Sequence, residues 1–368
     1  MRRRGSAADI LFDTVRRYPA PGEKQGGFMP SEPSRVTLAT VAASAGVSVP
    51  TVSKVVNGRP DVSPATRARV QELLRRHDYG GYRDDFRGHP TIELFFGKGR
   101  LTAYSVEVIQ GVIAAGARCG VAVVVGSQVS LDPSPAPADW AHGLVSAGRR
   151  AVVAMANTLT VEMIDALGRV RLPLVVIDPL SLTESTVPSV GSTNFAGGHA
   201  ATQHLLSLGH RRIAYLGSYP DVACNLARLH GFRSAMEAAG VPVPAECVHH
   251  AGEFGYEQGI SGGGTLLDLP DRPTAVFAAS DELAAGLVEA ARARGLRVPD
   301  DVSVAGFDDT QVAERCSPPL TTVHQPLQEM GAVALRTALR LASGEGIDSR
   351  HVELATRLVV RASTAPLP

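Results

Sequence analysis

The chain has little of what secreted proteins, membrane proteins and many enzymes are built from. Its 368 residues hold four cysteines, Cys119, Cys224, Cys247 and Cys316. They stand without C-x-x-C or C-x-x-H spacing, which argues against a zinc site or disulfide framework and for reduced thiols in a cytoplasm. There is no run of about 18 apolar residues, so no membrane span is expected. Arg2–Arg4 are not followed by a long apolar stretch and make a poor signal peptide. No Walker loop, G-x-S-x-G, H-E-x-x-H or cluster of metal ligands occurs. Gly262-Gly263-Gly264 falls inside a helical pattern rather than after a strand, which disfavours a phosphate cradle. The eleven histidines are dispersed, and His249-His250 fit a strand end better than a metal site. Neither an enzyme nor a cofactor or metal protein is expected.

An excess of charge is missing too: 36 Lys and Arg balance 36 Asp and Glu. Taken alone, that balance argues against a nucleic-acid binder. The distribution is uneven, however. From Arg35 to His89 nine basic residues (Arg35, Lys54, Arg59, Arg67, Arg69, Arg75, Arg76, Arg83 and Arg87) face five acidic ones. A basic head on a neutral body is the asymmetry expected of a DNA reader with a regulatory domain. The length itself implies two or three folding units.

What is present is concentrated in RVTLATVAASAGVSVPTVSKVVNGRPDVSPATRARVQELLRRHDYGGY, residues 35–82. Leu38, Val41, Ala42 and Ala45 repeat at helical spacing, and Gly46 stops that helix. Ser48 stands at an N-cap position, with Pro50 tolerated in the first turn because amides there have no helical partner to lose. The helix it opens, Val49–Asn57, turns Val52, Val55 and Val56 inward. Ser63-Pro64 starts a third helix with Val70, Leu73 and Leu74 on its core face. Helix, glycine turn, helix with short polar side chains at its N-terminus is a helix-turn-helix, whose second helix lies in a DNA major groove.

The same stretch resembles the headpiece of the lactose-repressor (LacI-type) family, which carries V-T-L-x-x-V-A-x-x-A-G-V-S-x-x-T-V-S-[RK]-V-x-N-G followed by V-S-x-x-T-R-x-x-V. The resemblance implies that Val49, Pro50 and Lys54 select bases. Lys54 stands where arginine is frequent and lacks its bidentate fork. Val49 and Pro50 have no side-chain donor, so readout leans on Thr51, Ser53 and Lys54 plus a methyl contact from Val49. Thr37, Ser48, Asn57 and Thr66 read as phosphate or framework positions. Each is equally plausible as a simple cap; the ensemble is what points to DNA.

Either side of this headpiece the sequence says less. Residues 1–34, rich in Pro and Gly toward their end, read as a disordered extension. Met29 is an alternative start, and a basic arm through Arg2–Arg4 is the competing reading. Residues 83–90, RDDFRGHP, form a linker. Relatives place a small helix there whose leucine wedges into the minor groove. That motif is missing here, Asp84 and Asp85 repel phosphates, and Phe86 is the one candidate wedge.

From Thr91 the texture alternates. Strand-like runs at Ile92–Phe96, Val121–Val125, Ala151–Ala154, Leu174–Ile177, Ile213–Leu216, Ala275–Ala278 and Val302–Phe307 are separated by helical patterns. Those patterns fall at Ser105–Cys119, Asp139–Ala147, Val161–Arg169, Ala196–Leu208, Leu229–Ala239, Tyr256–Leu267, Asp281–Arg294 and Gln325–Leu341. Buried strands between amphipathic helices indicate doubly wound parallel sheets. Eight helices are too many for one small sheet, so the α/β body, residues 91–368, is read as two lobes, divided near Pro179–Pro188 and crossed again near Pro318–Pro326. Residues 92–366 resemble the effector-binding body of the same repressors, similar in turn to periplasmic sugar-binding proteins with a ligand between two lobes.

Ligands in open α/β sheets sit beyond the carboxyl ends of strands. That rule selects Asp281 after Ala275–Ala278, as ligand acceptor or helix cap, and Asp178 after Leu174–Ile177, as ligand contact or turn carboxylate. Phe254, in the loop GEFG, offers a face to a sugar ring or to lobe packing. Arg228 is read at a helix start, where the dipole disfavours a cation, so another reason for it is sought. The resemblance implies effector contact for Arg228, Asp281 and Tyr104. Phe96 and Trp140 are weaker, each more simply a core aromatic.

The expectation is a cytoplasmic homodimeric repressor that binds operator DNA and is released by a small polar effector, a sugar or sugar derivative. The tail after Val360, RASTAPLP, is too short and Pro-rich for a tetramerising helix. Three alternatives remain: a corepressor-dependent regulator with a purine-like effector, a sugar-binding transport component, and a sugar-modifying enzyme. The transport component has no use for residues 35–82, and the enzyme lacks an acid/base pair or cofactor loop.

Overall fold

The computed structural model describes residues 37–56, 62–76, 90–96, 101–127, 136–155, 159–179 and 187–367. Residues 1–34, Asn57 and Phe86 therefore lie outside the described residues, as do the side chain of Val56 and all of the 83–90 linker except Pro90. Contacts divide the chain into two compact units, Met1–Asp84 and Asp85–Pro368.

In the first unit the described helices are α1 (Leu38–Ala45), α2 (Val49–Val56) and α3 (Pro64–Arg76). Thr37 and Thr40 cap α1 reciprocally, and Gly46 ends it in the left-handed conformation at φ 63°, a backbone glycine adopts without steric cost. The chain bends by 102° between Leu38–Ala45 and Val49–Val55, within the range of a helix-turn-helix. The Ser48 hydroxyl accepts from the Thr51 amide at 3.3 Å to open α2, and Ser63 does the same for Thr66 to open α3. Val41, Ala42, Ala45, Val52, Val55, Val70 and Leu74 close into one small core, with Leu38, Val47, Val62 and Leu73 around its edge.

The second unit holds two six-stranded sheets. The N-terminal lobe contains β1 (Thr91–Phe96), α4 (Ala103–Arg118), β2 (Ala122–Ser127), α5 (Pro137–Ser146), β3 (Arg149–Met155), α6 (Val161–Arg169), β4 (Leu174–Ile177) and β5 (Ser189–Ser192). The C-terminal lobe contains α7 (Asn194–Ser207), β6 (Ile213–Gly217), α8 (Ala223–Ala238), β7 (Val248–His250), α9 (Tyr256–Leu267), β8 (Ala275–Ala278), α10 (Asp281–Ala293), β9 (Ser303–Asp308), α11 (Gln311–Arg315) and β10 (Thr321–His324). The chain then returns with α12 (Leu327–Ala342) and β11 (His351–Leu354) to the first lobe, and with β12 (Arg357–Val359) to the second.

The strand orders are β11-β5-β4-β3-β1-β2 and β12-β10-β9-β8-β6-β7. Among the described residues all strand pairs are parallel except β10 with β12. Parallel strands need crossover helices on both faces, which accounts for the continuous burial of β3, β6, β8 and β9 over most of their length. Tyr215, Phe277 and Phe307 form an aromatic spine through the second lobe, with ring centroids 5.5 and 6.4 Å apart.

Two expectations need correction. The first crossing between lobes is at Thr193, not at 179–188: β5 comes after that segment and still pairs with β4. A third crossing, between β11 and β12, had no counterpart in the sequence reading. The triple glycine lies within α9, where Gly259 and Gly263 let α9 meet the backbone of α10.

Candidate functional site

Val49, Pro50 and Lys54 are exposed, while Thr51 and Ser53 are half-buried beside them. Ser48 and Thr37 act as helix caps, and Thr66 accepts a 2.8 Å bond from the Ser63 hydroxyl. The exposed positions of α2 and the caps thus separate physically. Val49 and Pro50 present apolar surface to solvent, whereas Thr37, Ser48 and Ser63 hold the helix starts, Ser63 accepting from the Thr66 amide.

The body's site is built on Arg228. α7 and α8 pack backbone to backbone, because a Cβ at Gly198 would collide with the Arg228 backbone and one at Gly231 with that of Phe195. This close approach carries the Arg228 side chain to Asn194 at the start of α7. Its Nε donates to Asn194 Oδ1 at 2.8 Å, and a terminal nitrogen donates to the Ala279 carbonyl at 2.5 Å. The same nitrogen lies 3.7 Å from Asp308 Oδ1. The guanidinium sits 3.8 Å from the centroid of the Phe307 ring and 5.7 Å from that of Phe254.

Only 3% of Arg228 is exposed. Burial acts to lower its pKa, but Cys224, Asp308 and Asp178 together hold it above the ordinary value. A buried charge needs partners of this kind, since desolvation otherwise costs several kcal/mol per ion, on the order of the whole fold's stability. Arg228 does not open its helix, however. α8 starts at Ala223, so Arg228 lies in the second turn, where the dipole has largely faded, and its partners account for it instead.

Asp308 ends β9, beyond its carboxyl end, with φ of 114°; Asp309 follows at 56°. Such conformations persist in non-glycine residues when the surroundings enforce them, as at ligand sites. Burial raises the Asp308 pKa strongly, and Arg228 opposes the rise. Asp178, at φ 48°, accepts from the Tyr104 hydroxyl at 2.5 Å. Burial raises the pKa of both partners. Cys224 shares the surroundings of Arg228, and burial pushes its thiol up to about 11.

Asp281 follows the strand Ala275–Ala278 as expected, but the helix cap beside it is another residue. Ser280 is the N-cap of α10, accepting from the Leu283 amide at 3.1 Å, so Asp281 is not the cap. Its carboxylate accepts from the Thr310 amide at 2.8 Å, the Thr310 hydroxyl at 3.1 Å and the Thr322 hydroxyl at 2.6 Å. Burial nevertheless raises its pKa to about 7. Asp281 therefore ties α10 to the β9–α11 loop and β10. The carboxylate beside Arg228 is Asp308, which sequence reasoning passed over. The strand-end rule that selected Asp281 applies equally to Asp308, in the segment VSVAGFDD. Asn194, Cys224 and Gln325 were also missed, being polar residues without a motif.

Tyr104, Asp178, Arg228 and Phe254 do come together. Asp178 and Arg228 are close enough to shift each other's pKa, and Tyr104 feels the charge of Asp308 across the lobes. The lobes also touch where the Ala103 amide, at the start of α4, donates to Glu282 Oε1 at 3.0 Å. Trp140 packs on Phe95, with centroids 5.1 Å apart, and Phe96 joins the first-lobe core; neither belongs to the site. Among the described residues no group of His, Cys, Asp and Glu is placed to hold a metal ion, and no single helix is long and apolar enough to cross a membrane.

Two family models match the chain. Residues 37–80 fit the family described as bacterial regulatory proteins, lacI family, and residues 202–364 fit the periplasmic binding protein-like domain. The HTH-type transcriptional regulator CelR of Thermobifida fusca is 34% identical over 343 residues, covering 89% of this chain and 98% of its own. The solved CelR–cellobiose complex is 33% identical, covers 89% of this chain and 100% of its own, and gives a TM-score of 0.67. The lac repressor dimer bound to operator and the anti-inducer ONPF is 26% identical, covers 90% of this chain and 100% of its own, and gives 0.68. The chain belongs to the LacI family and is a DNA-binding transcription regulator.

Proposed function

We propose that residues 35–82 form the DNA-reading domain and residues 91–368 the effector-binding and dimerisation domain of a repressor acting in the bacterial cytoplasm, with 83–90 as the linker. As a homodimer, it places two copies of α2 in successive major grooves of a pseudo-palindromic operator. Thr51, Ser53 and Lys54 read base edges, Val49 and Pro50 supply apolar contacts, and Thr37, Ser48, Asn57 and Thr66 serve the phosphates and helix starts.

The effector is a sugar held between the lobes. Arg228 and Asp308 supply a donor and an acceptor for ring hydroxyls, Tyr104 and Asp178 do so from the other lobe, and Phe254 offers its face. Asp281 contributes by fixing the loop that carries Asp308. The observation that carries this reading is the buried Arg228, held between Phe307, Phe254 and Asp308 where strands of the second lobe end. The cellobiose in the CelR complex supports a sugar as the ligand class. Effector binding releases the operator through a coupling free energy of ~1–3 kcal/mol.

A gel shift on the DNA upstream of this protein's own gene, with and without a panel of sugars, tests the reading. Salt-sensitive binding that one sugar relieves is expected. Absence of binding to any promoter fragment contradicts it.

A further inference from the structure

Four hydrogen bonds and one ion pair, Arg228 with Asp308 at 3.7 Å, form a closed circuit that joins the cleft to the hinge. The Ser192 hydroxyl, at the end of β5, donates to Gln325 Oε1 at 2.5 Å. Gln325 stands at the second crossing between the lobes, and its amide nitrogen donates to Asp308 Oδ1 at 2.6 Å. Asp308 faces Arg228, Arg228 donates to Asn194, and Asn194 Nδ2 donates to the Ser192 carbonyl at 3.1 Å. All five residues are buried.

The chemistry at position 325 is specific. A hydroxyl donor approaches one end of the side chain and a carboxylate acceptor the other, so a primary amide satisfies both at once. An apolar residue of the same length would leave the Ser192 hydroxyl and one Asp308 oxygen without this partner, and a half-satisfied buried network is costly. Ser192 and Asp308 share no direct hydrogen bond; Gln325 is the side chain that touches both. The neighbouring crossing is tied in as well. The Thr356 amide donates to Thr193 Oγ1 at 3.0 Å, and the Thr193 amide donates to the Leu354 carbonyl at 2.9 Å.

We propose that Gln325 is a positioning residue that couples the Asp308 carboxylate to the Ser192 end of the hinge, so that a ligand hydroxyl drawing on Asp308 is felt where the lobes join. The coupling is a property of the fold and holds for any ligand that bonds Asp308. Its failure would thus leave the sugar reading standing, and the reverse.

Hydrogen exchange of the Thr193 and Thr356 amides reads the hinge directly. In the full chain, Asp308→Asn and Ser192→Ala are measured singly and together, first with Gln325 present and then in a Gln325→Met background, which keeps the length and removes both polar ends. With Gln325 present, the paired effect on exchange rate should differ from the product of the single effects by about tenfold, as for groups sharing one network. In the Gln325→Met background the two effects should multiply to within about twofold, as for independent sites. Gln325→Ala is the second background, since it also removes both polar ends and should lose the coupling likewise; it decides the matter if the Met variant does not fold. Equal coupling with and without Gln325, or simple multiplication in both, overturns the proposal.

Discussion

The headpiece and the C-terminal lobe are stabilised by different means. Among the described residues the headpiece core is seven aliphatic side chains, and each of the three helix starts is held by a Ser or Thr cap. The C-terminal lobe is built on buried aromatics, and into that core it admits charges: Arg228, Asp281 and Asp308. A unit as small as the headpiece buries a modest share of its surface, so local capping is a large part of what orders it. The larger lobe buries a greater share of its surface, and it is there that buried charge and the positive φ angles of Asp308 and Asp309 occur. One region is organised to present a helix, the other to keep polar groups poised inside a protein.

Substitutions that break this contrast should differ in where they act and by how much. The largest effect is expected from Arg228→Leu, which strands Asp308 in the interior. Removing one partner of a buried pair costs ~3–5 kcal/mol, so thermal unfolding of the body should shift downward while ligand heats disappear in calorimetry. Operator binding at a temperature where the body stays folded should survive. Leu74→Ala should do the converse. A cavity in so small a core costs ~2–4 kcal/mol, abolishing gel shifts while ligand binding by the body persists. Tyr104→Phe removes the hydroxyl that Asp178 accepts from, and about tenfold weaker ligand binding is expected in the same calorimetric titration. Smallest is Ser48→Ala, a lost cap of ~1 kcal/mol, seen as a lower headpiece melting temperature and a modest loss of operator affinity.

The same contrast explains what was legible in the sequence. Every headpiece element depends on neighbours within a few residues: Gly46 ends α1, Ser48 starts α2, Ser63 starts α3. A linear reading reaches such features. Buried strands such as Leu174–Ile177 and Ala275–Ala278 were equally plain, because both faces of a parallel strand are apolar. The hinge strands were not. Ser189–Ser192, Thr321–His324 and His351–Leu354 are short and polar, and they become strands only by pairing with partners distant in the chain. The site fell between these cases. Arg228, Asp178 and Asp281 stood out by type and place, but Asp308 did not, because it acquires its role from Arg228, 80 positions earlier.

The central claim is that occupancy of the lobed body sets the DNA affinity of the headpiece. Fluorescence anisotropy of an operator fragment is the most direct measurement, made with and without a saturating sugar that calorimetry has shown to bind. The affinity should change by about 5- to 150-fold in the native protein and stay constant in Arg228→Leu. An operator affinity that is the same with the bound sugar as without it would contradict the account.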